Sequence, residues 1–165
     1  MITLKKILVP TDFGEAADAA LTYARALARN FGASLAVLHV AEDASARMFA
    51  GELYVAVPPT LQQDIEGAAR KELDRRLIDN DPNPIVMRPM VIASNAPALS
   101  IVNYAKETGI DLIVMGTHGR GPMAHLVMGS VAERVVRLAG CPVLVVRHPE
   151  HEFVLPDTLA VAAKA

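Results

Sequence analysis

Five short apolar runs punctuate this chain, and four stretches between them carry apolar residues at helical rather than alternating spacing. The runs are Leu4 to Val9, Ser34 to Val40, Ile85 to Ile92, Ile110 to Met115 and Pro142 to Val146. Near-continuous apolarity is what strands show when helices cover both faces of their sheet. Strands and helices in strict alternation specify a parallel sheet with right-handed crossovers, so the fold class predicted is α/β, with helices on both faces of a five-stranded sheet. Pro89 cannot donate to a ladder on both sides, which demotes the third run to an edge strand. At 165 residues, 52% of them hydrophobic and 21% charged, the chain suits one domain with a sizeable core and leaves no room for a tandem pair.

The helical stretches carry their own start and stop signals. Pro10 ends the first strand, and Asp12 with Glu15 forms a D-x-x-E helix start. Ala17, Ala20, Ala24, Leu27, Ala28 and Phe31 then share one face, closed by Gly32. Thr60 with Gln63 reads as the cap of a second helix whose Leu61, Ile65, Ala68, Ala69, Leu73 and Leu77 face the core, its charges lying on a solvated face. Asp81 to Pro84 breaks the chain. Ser94, Asn95 and Pro97 introduce a third helix with Leu99, Ile101, Val102 and Ala105, running to Gly109. Ala41 to Pro59 has no clear period and reads either as a lid or binding element, or as a loop with a short helical turn.

The stretch richest in chemistry is Met115 to Ser130, MGTHGRGPMAHLVMGS, between the fourth apolar run and a helix carrying Val131, Val135, Leu138 and Ala139. Gly116, Gly119 and Gly121 permit close backbone approach, so successive N–H groups can converge on an anion. Gly129 and Ser130 open the helix, whose free N–H groups favour negative charge. Ser130 with Glu133 also fits an S-x-x-E capping box. Capping alone accounts for those two residues but not for three glycines in the loop and a fourth beside the cap.

Gly116, Gly119, Gly129 and Ser130 stand as G-x2-G-x9-G-S, which resembles the nucleotide-binding signature of the universal stress protein family, in its ATP-binding branch. The opening ILVPTDF, the segment LAVLHV and the closing CPVLVVR resemble that family too, over roughly Leu4 to Arg147. The resemblance implies a universal stress protein domain at 1–147 with a tail at 148–165, and the strand order 3-2-1-4-5 of the Rossmann-like, adenine nucleotide alpha hydrolase-like fold. It implies that Pro10, Thr11 and Asp12 border base and ribose, that Val40 lines an adenine pocket, and that Gly116, Gly119, Gly129, Ser130 and Val131 hold ribose and phosphates; Met115 joins the candidate nucleotide site, as does Arg120, whose charge can neutralise phosphate, although an exposed loop arginine is more often just solvated. The implied ligand is ATP, with or without magnesium. A homodimer through the fifth strand, Val143, Leu144, Val145 and Val146, is implied as well. The family usually has a glycine where Ser94 and Asn95 stand here; asparagine tolerates left-handed geometry, so the departure is mild.

Other classes find less support. Net charge is −2 without a basic block, which gives no footing for nucleic-acid binding. A phosphate-loop G-x4-G-K-[ST] is absent, and Gly119-Arg120-Gly121 lacks the third glycine of a dinucleotide fingerprint. Cys141 is the sole cysteine and reads as a structural apolar residue. His39 reads as packed and satisfied, and His118 and His125 are weak ligand candidates. His148, Glu150, His151 and Glu152 lack the third element a metal site needs. Ile7 to Val9 is too short for a secretory apolar region and no run is long enough to cross a bilayer, so the expectation is a soluble, cytoplasmic protein. The leading functional reading is an ATP-binding stress-response module. A slow magnesium-dependent ATPase and a nucleotide-free dimeric interaction protein are its rivals.

Overall fold

The computed structural model describes residues 2–44, 58, 60–78, 84–117 and 129–147. The expectations for most of the 41–59 segment, for Gly119, Arg120, Gly121, His118 and His125, and for the 148–165 tail lie outside the described residues. The elements alternate without exception: β1 Lys6–Pro10, α1 Glu15–Phe31, β2 Ser34–Ala41, α2 Leu61–Arg76, β3 Met87–Ala93, α3 Pro97–Thr108, β4 Leu112–Gly116, α4 Ser130–Leu138 and β5 Val143–Val146. The five strands form one parallel sheet in the order β3-β2-β1-β4-β5, as expected. Pro89 lies on the edge strand β3, opposite Val37 of β2.

Alternation along the strands divides the core between two faces. Ile7, Val9, Leu35, Val37 and Val114 pack with Ala20, Ala24 and Ala28 of α1 and Leu73 of α2. Leu8, Leu38, Ile113 and Met115 pack with Ala98, Ile101 and Ala105 of α3 and Ala132 and Val135 of α4. Alanine dominates the buried side of α1 because small side chains let a helix sit close on the sheet.

Several sequence expectations shift. Both proposed carboxylate or hydroxyl caps are displaced, because the N-caps of α1 and α4 are Gly14 and Gly129. Asp12 instead accepts the Gly14 N–H (3.0 Å), making an Asx turn ahead of the helix. Glu133 pairs with Arg137 (2.7 Å) rather than reaching back in a capping box. Thr60 is the N-cap of α2, but its hydroxyl makes no capping bond. Phe31 is 44% exposed, since the chain turns through left-handed Gly32 and buries Ala33 there instead. Ala68 is exposed because the buried stripe of α2 narrows to Ala69 and Leu73. Leu138 is 48% exposed at the end of α4, which packs on α3 and the outer strand β5.

The amino-terminal end of the sheet is pinned by one carboxylate. Asp111 Oδ2 accepts the backbone N–H groups of Lys5 (2.7 Å) and Lys6 (2.9 Å), joining the turn before β4 to the start of β1. Lys6 Nζ donates to Thr108 C=O (2.8 Å) across the same junction. The departure at Ser94 and Asn95 also has a structural role. Asn95 accepts the Asp43 N–H (3.2 Å) and donates to the Asp43 C=O (3.1 Å), so its side chain mimics a paired strand between the ends of β2 and β3.

Candidate functional site

Strand order reverses between β1 and β4, and ligands of open α/β sheets bind outside the carboxyl ends at such a point. Here the two strands part. Their paired register comprises Ile7↔Leu112 and Leu8↔Ile113, whereas β1 stays with β2 through Pro10↔Leu38. Thr11 N–H continues that attachment to Leu38 C=O (2.8 Å), while at the end of β4 Thr117 N–H donates to Val146 C=O of β5 (2.9 Å). Beyond this register each strand bonds to its outer neighbour, and the crevice that such a switch point provides falls between Pro10 and Gly116.

On the β1 side the chain makes a tight turn. Phe13 N–H donates to Thr11 Oγ1 (3.0 Å) and Gly14 N–H to Asp12 Oδ1 (3.0 Å), so both predicted polar residues build the turn. His39 is satisfied, as expected: its Nδ1–H donates to Thr11 C=O (2.8 Å), since a carbonyl can only accept. The residue sequence reasoning missed is Phe13. Its φ of +65° puts a bulky side chain in the left-handed region, at a cost on the order of 1–2 kcal/mol. Its ring stacks on His39 with centroids 4.3 Å apart.

Gly116 forms the opposite wall, against α1. A Cβ placed there would lie 2.7 Å from the backbone carbon of Ala16 and 2.8 Å from its Cβ, so only glycine lets β4 end this close to the first turn of α1. Thr117, also missed, is buried and accepts the Gly129 N–H at its carbonyl (2.6 Å). That bond brings the start of α4 back to the end of β4 although the residues between them lie outside the described set. The first intrahelical bond of α4 runs from Glu133 N–H to Gly129 C=O (2.9 Å), and its N-cap, a glycine, has no side chain to bond the helix start. The N–H groups of Ser130, Val131 and Ala132 therefore precede the helical ladder and face outward from its positive end.

The apolar candidates converge on the α3/α4 face. Val40 and Val131 are half-buried against the same cluster that contains buried Met115, and alternation puts Pro10 on the face of Leu8 in that cluster. The structure thus brings Pro10, Thr11, Asp12, Val40, Met115, Gly116, Gly129, Ser130 and Val131 to one end of the sheet. Gly119 and Arg120 lie outside the described residues. Cys141 packs half-buried against this cluster, and burial pushes its thiol above the ordinary range, in keeping with a structural role. No group of three metal-ligating side chains occurs among the described residues, and none of their helices is long and apolar enough to cross a membrane.

The likeness to known proteins extends along nearly all of the chain. Universal stress protein YxiE of Bacillus subtilis is 33% identical over 146 residues, covering 86% of this chain and 98% of its own length. Universal stress protein MJ0577 of Methanocaldococcus jannaschii is 30% identical over 160 residues, with 88% and 96% covered. The solved structure of UspA from Lactobacillus plantarum superimposes with a TM-score of 0.69 at 28% identity, over 89% of this chain and all of that one. Two universal stress proteins solved with cAMP and with dAMP, the latter from Archaeoglobus fulgidus, share the fold at 20% identity with TM-scores of 0.59 and 0.52. The profile of the universal stress protein family matches residues 3–147, and with these relatives it establishes that the chain belongs to that family.

Proposed function

We propose that this protein is an adenine-nucleotide-binding module that holds ATP, with or without magnesium, in the crevice between the carboxyl ends of β1 and β4. The observation that carries the reading is the bond from Gly129 N–H to Thr117 C=O, which sets the start of α4 beside the glycine-lined end of β4. Outward N–H groups there suit phosphate oxygens. Asp12 at the opposite wall offers a carboxylate to sugar hydroxyls or an adenine donor, and Pro10, Val40, Met115 and Val131 offer apolar surface. The G-x2-G-x9-G-S spacing supports ATP in particular. The two neighbours of the same fold solved with cAMP and with dAMP support an adenine nucleotide as the ligand.

Mass spectrometry of nucleotide that co-purifies with the protein, followed by calorimetry with ATP, tests this directly. Gly129 has φ −73° and ψ 153°, extended backbone that valine adopts without strain. Gly129→Val should therefore fold while crowding the phosphates, and lose ATP binding. A folded variant with wild-type affinity would remove this site from consideration. Phosphate release separates module from enzyme: turnover should fall far below the ~10 per second of a median enzyme. Magnesium-dependent release near that rate, abolished in Ser130→Ala, would make the protein an ATPase.

We also propose a homodimer through β5. Val143–Val146 borders the sheet beyond β4, and Leu144 in its middle is 39% exposed. An apolar strand with no second neighbour among the described residues invites pairing with its own copy about a two-fold axis. Sedimentation at micromolar concentration should show a dimer, weakened by Val145→Pro if that donor faces the partner; a wild-type monomer there refutes the pairing.

A further inference from the structure

The β1–α1 turn is held from outside by a residue of a different helix. Arg76, in the last turn of α2, donates from Nη2 to the Phe13 C=O (3.1 Å), and its guanidinium carbon stands 5.5 Å from the Phe13 ring centroid. Nη1 pairs with Asp18 in the first turns of α1, and Nε with Glu72 Oε1 of its own helix (2.8 Å). The backbone carbonyl of Arg76 in turn accepts from Arg25 Nη2 of α1 (2.9 Å). Only 24% of the side chain is exposed. A planar fork can make all of these contacts at once, which an ammonium cannot.

The consequence concerns Phe13. A phenylalanine at φ +65° persists only where its surroundings over-determine it. His39 holds one face of the ring, and Arg76 supplies a cation at the ring and a donor at the carbonyl. The peptide so held leads directly to the Gly14 N–H that Asp12 accepts.

We propose that Arg76 is a positioning residue for the crevice, holding the Thr11–Gly14 turn in its ligand-ready shape and tying that shape to the seating of α2. The proposal rests on the nucleotide reading and gives it a direction of communication: whatever moves the end of α2 changes the affinity of the turn, and occupancy of the turn steadies α2 by the same factor.

A mutant cycle tests it, with ATP affinity by calorimetry, melting temperature, and the amide resonances of Phe13 and Gly14 as three readouts. Arg76→Met should weaken ATP binding on the order of tenfold and shift both resonances. Arg76→Lys should recover much of the melting temperature through Asp18 and Glu72 but little of the affinity; a merely structural arginine would recover both together. In a Phe13→Gly background, where φ +65° is unstrained, removing Arg76 should cost markedly less affinity. Wild-type affinity in a folded Arg76→Met, or an equal penalty in both backgrounds, would overturn the proposal. Should wild-type protein take no ATP, the nucleotide reading falls, and unshifted Phe13 and Gly14 amides in Arg76→Met would then reject the positioning role as well.

Discussion

Gly116→Ala offers a direct measurement of how tightly the crevice wall is built. The added Cβ would meet the Ala16 carbonyl carbon at 2.7 Å and the Ala16 oxygen and Cβ at 2.8 Å. Ordinary contact begins near 3.5 Å, so the end of β4 and the first turn of α1 must separate by about 0.8 Å. Ala16 is nearly buried and the atoms struck are mainly backbone, so no flexible side chain can swing away. Overpacking of this kind costs about 1–3 kcal/mol, and rigidity of the target places the expectation at about 2–3. Gly116 does not need a positive φ, so the whole effect is steric. Urea denaturation should show the midpoint falling by about 1 M with the slope unchanged, given a slope near 2 kcal/mol per molar. ATP affinity should fall too, because α1 carries the Asp12–Gly14 turn at its start. A midpoint within about 0.2 M of wild type would refute the close approach of β4 and α1.

Two further substitutions test the scaffold. Gly67 lies exposed within α2 with open space where a Cβ would stand, so Gly67→Ala should stabilise the protein by about 0.5–1 kcal/mol in the same urea assay. At Asp111 the N–H groups of Lys5 and Lys6 hold the carboxyl below its ordinary range, so its stabilisation is complete above the unfolded value of about 3.9 and disappears as pH falls through the lower folded value. Asp111→Asn should flatten the acid limb of the stability profile below about pH 5, and an unchanged limb would show that this carboxylate is not what acid removes.

Period and punctuation made the framework readable. Strand runs, Gly32, Gly109 and the edge position of Pro89 follow from local rules that act within a few residues, and each is found where expected. Helix starts were harder, because D-x-x-E and S-x-x-E each admit more than one geometry. The chain uses Asp12 two residues earlier, in an Asx turn, and leaves Gly129 as a cap with no side chain. At the candidate site, motif spacing singled out Gly116 and Gly129 and family resemblance Pro10, Thr11 and Asp12, and all five lie at the same end of the sheet. Phe13 was not singled out, since nothing in its own chemistry favours a positive φ; the adjoining D-x-G could have raised the question. Arg76 was hidden for a different reason. Helical charge patterns reveal partners three or four residues away, as with Glu72, but not Asp18 or Phe13 on another element.

The two ends of the sheet divide labour in a way that makes these variants sort themselves. At the amino-terminal end one carboxylate bonds adjacent N–H groups and closes the β1–β4 junction, so loss there is loss of stability. At the carboxyl end β1 and β4 each bond outward, to β2 and β5, and the space between them is bordered by a strained turn, a glycine contact and the start of a helix. N–H groups that precede a helical ladder add little to its stability and suit an anionic ligand. Asp111→Asn and Gly67→Ala should accordingly move stability with ATP affinity constant, Gly129→Val should do the reverse, and Gly116→Ala, which touches both the scaffold and the crevice, should move the two together. Plotting affinity against unfolding free energy for the four variants decides the matter: a single line through all of them would mean that the crevice has no energetics of its own and merely reports how well the sheet is folded.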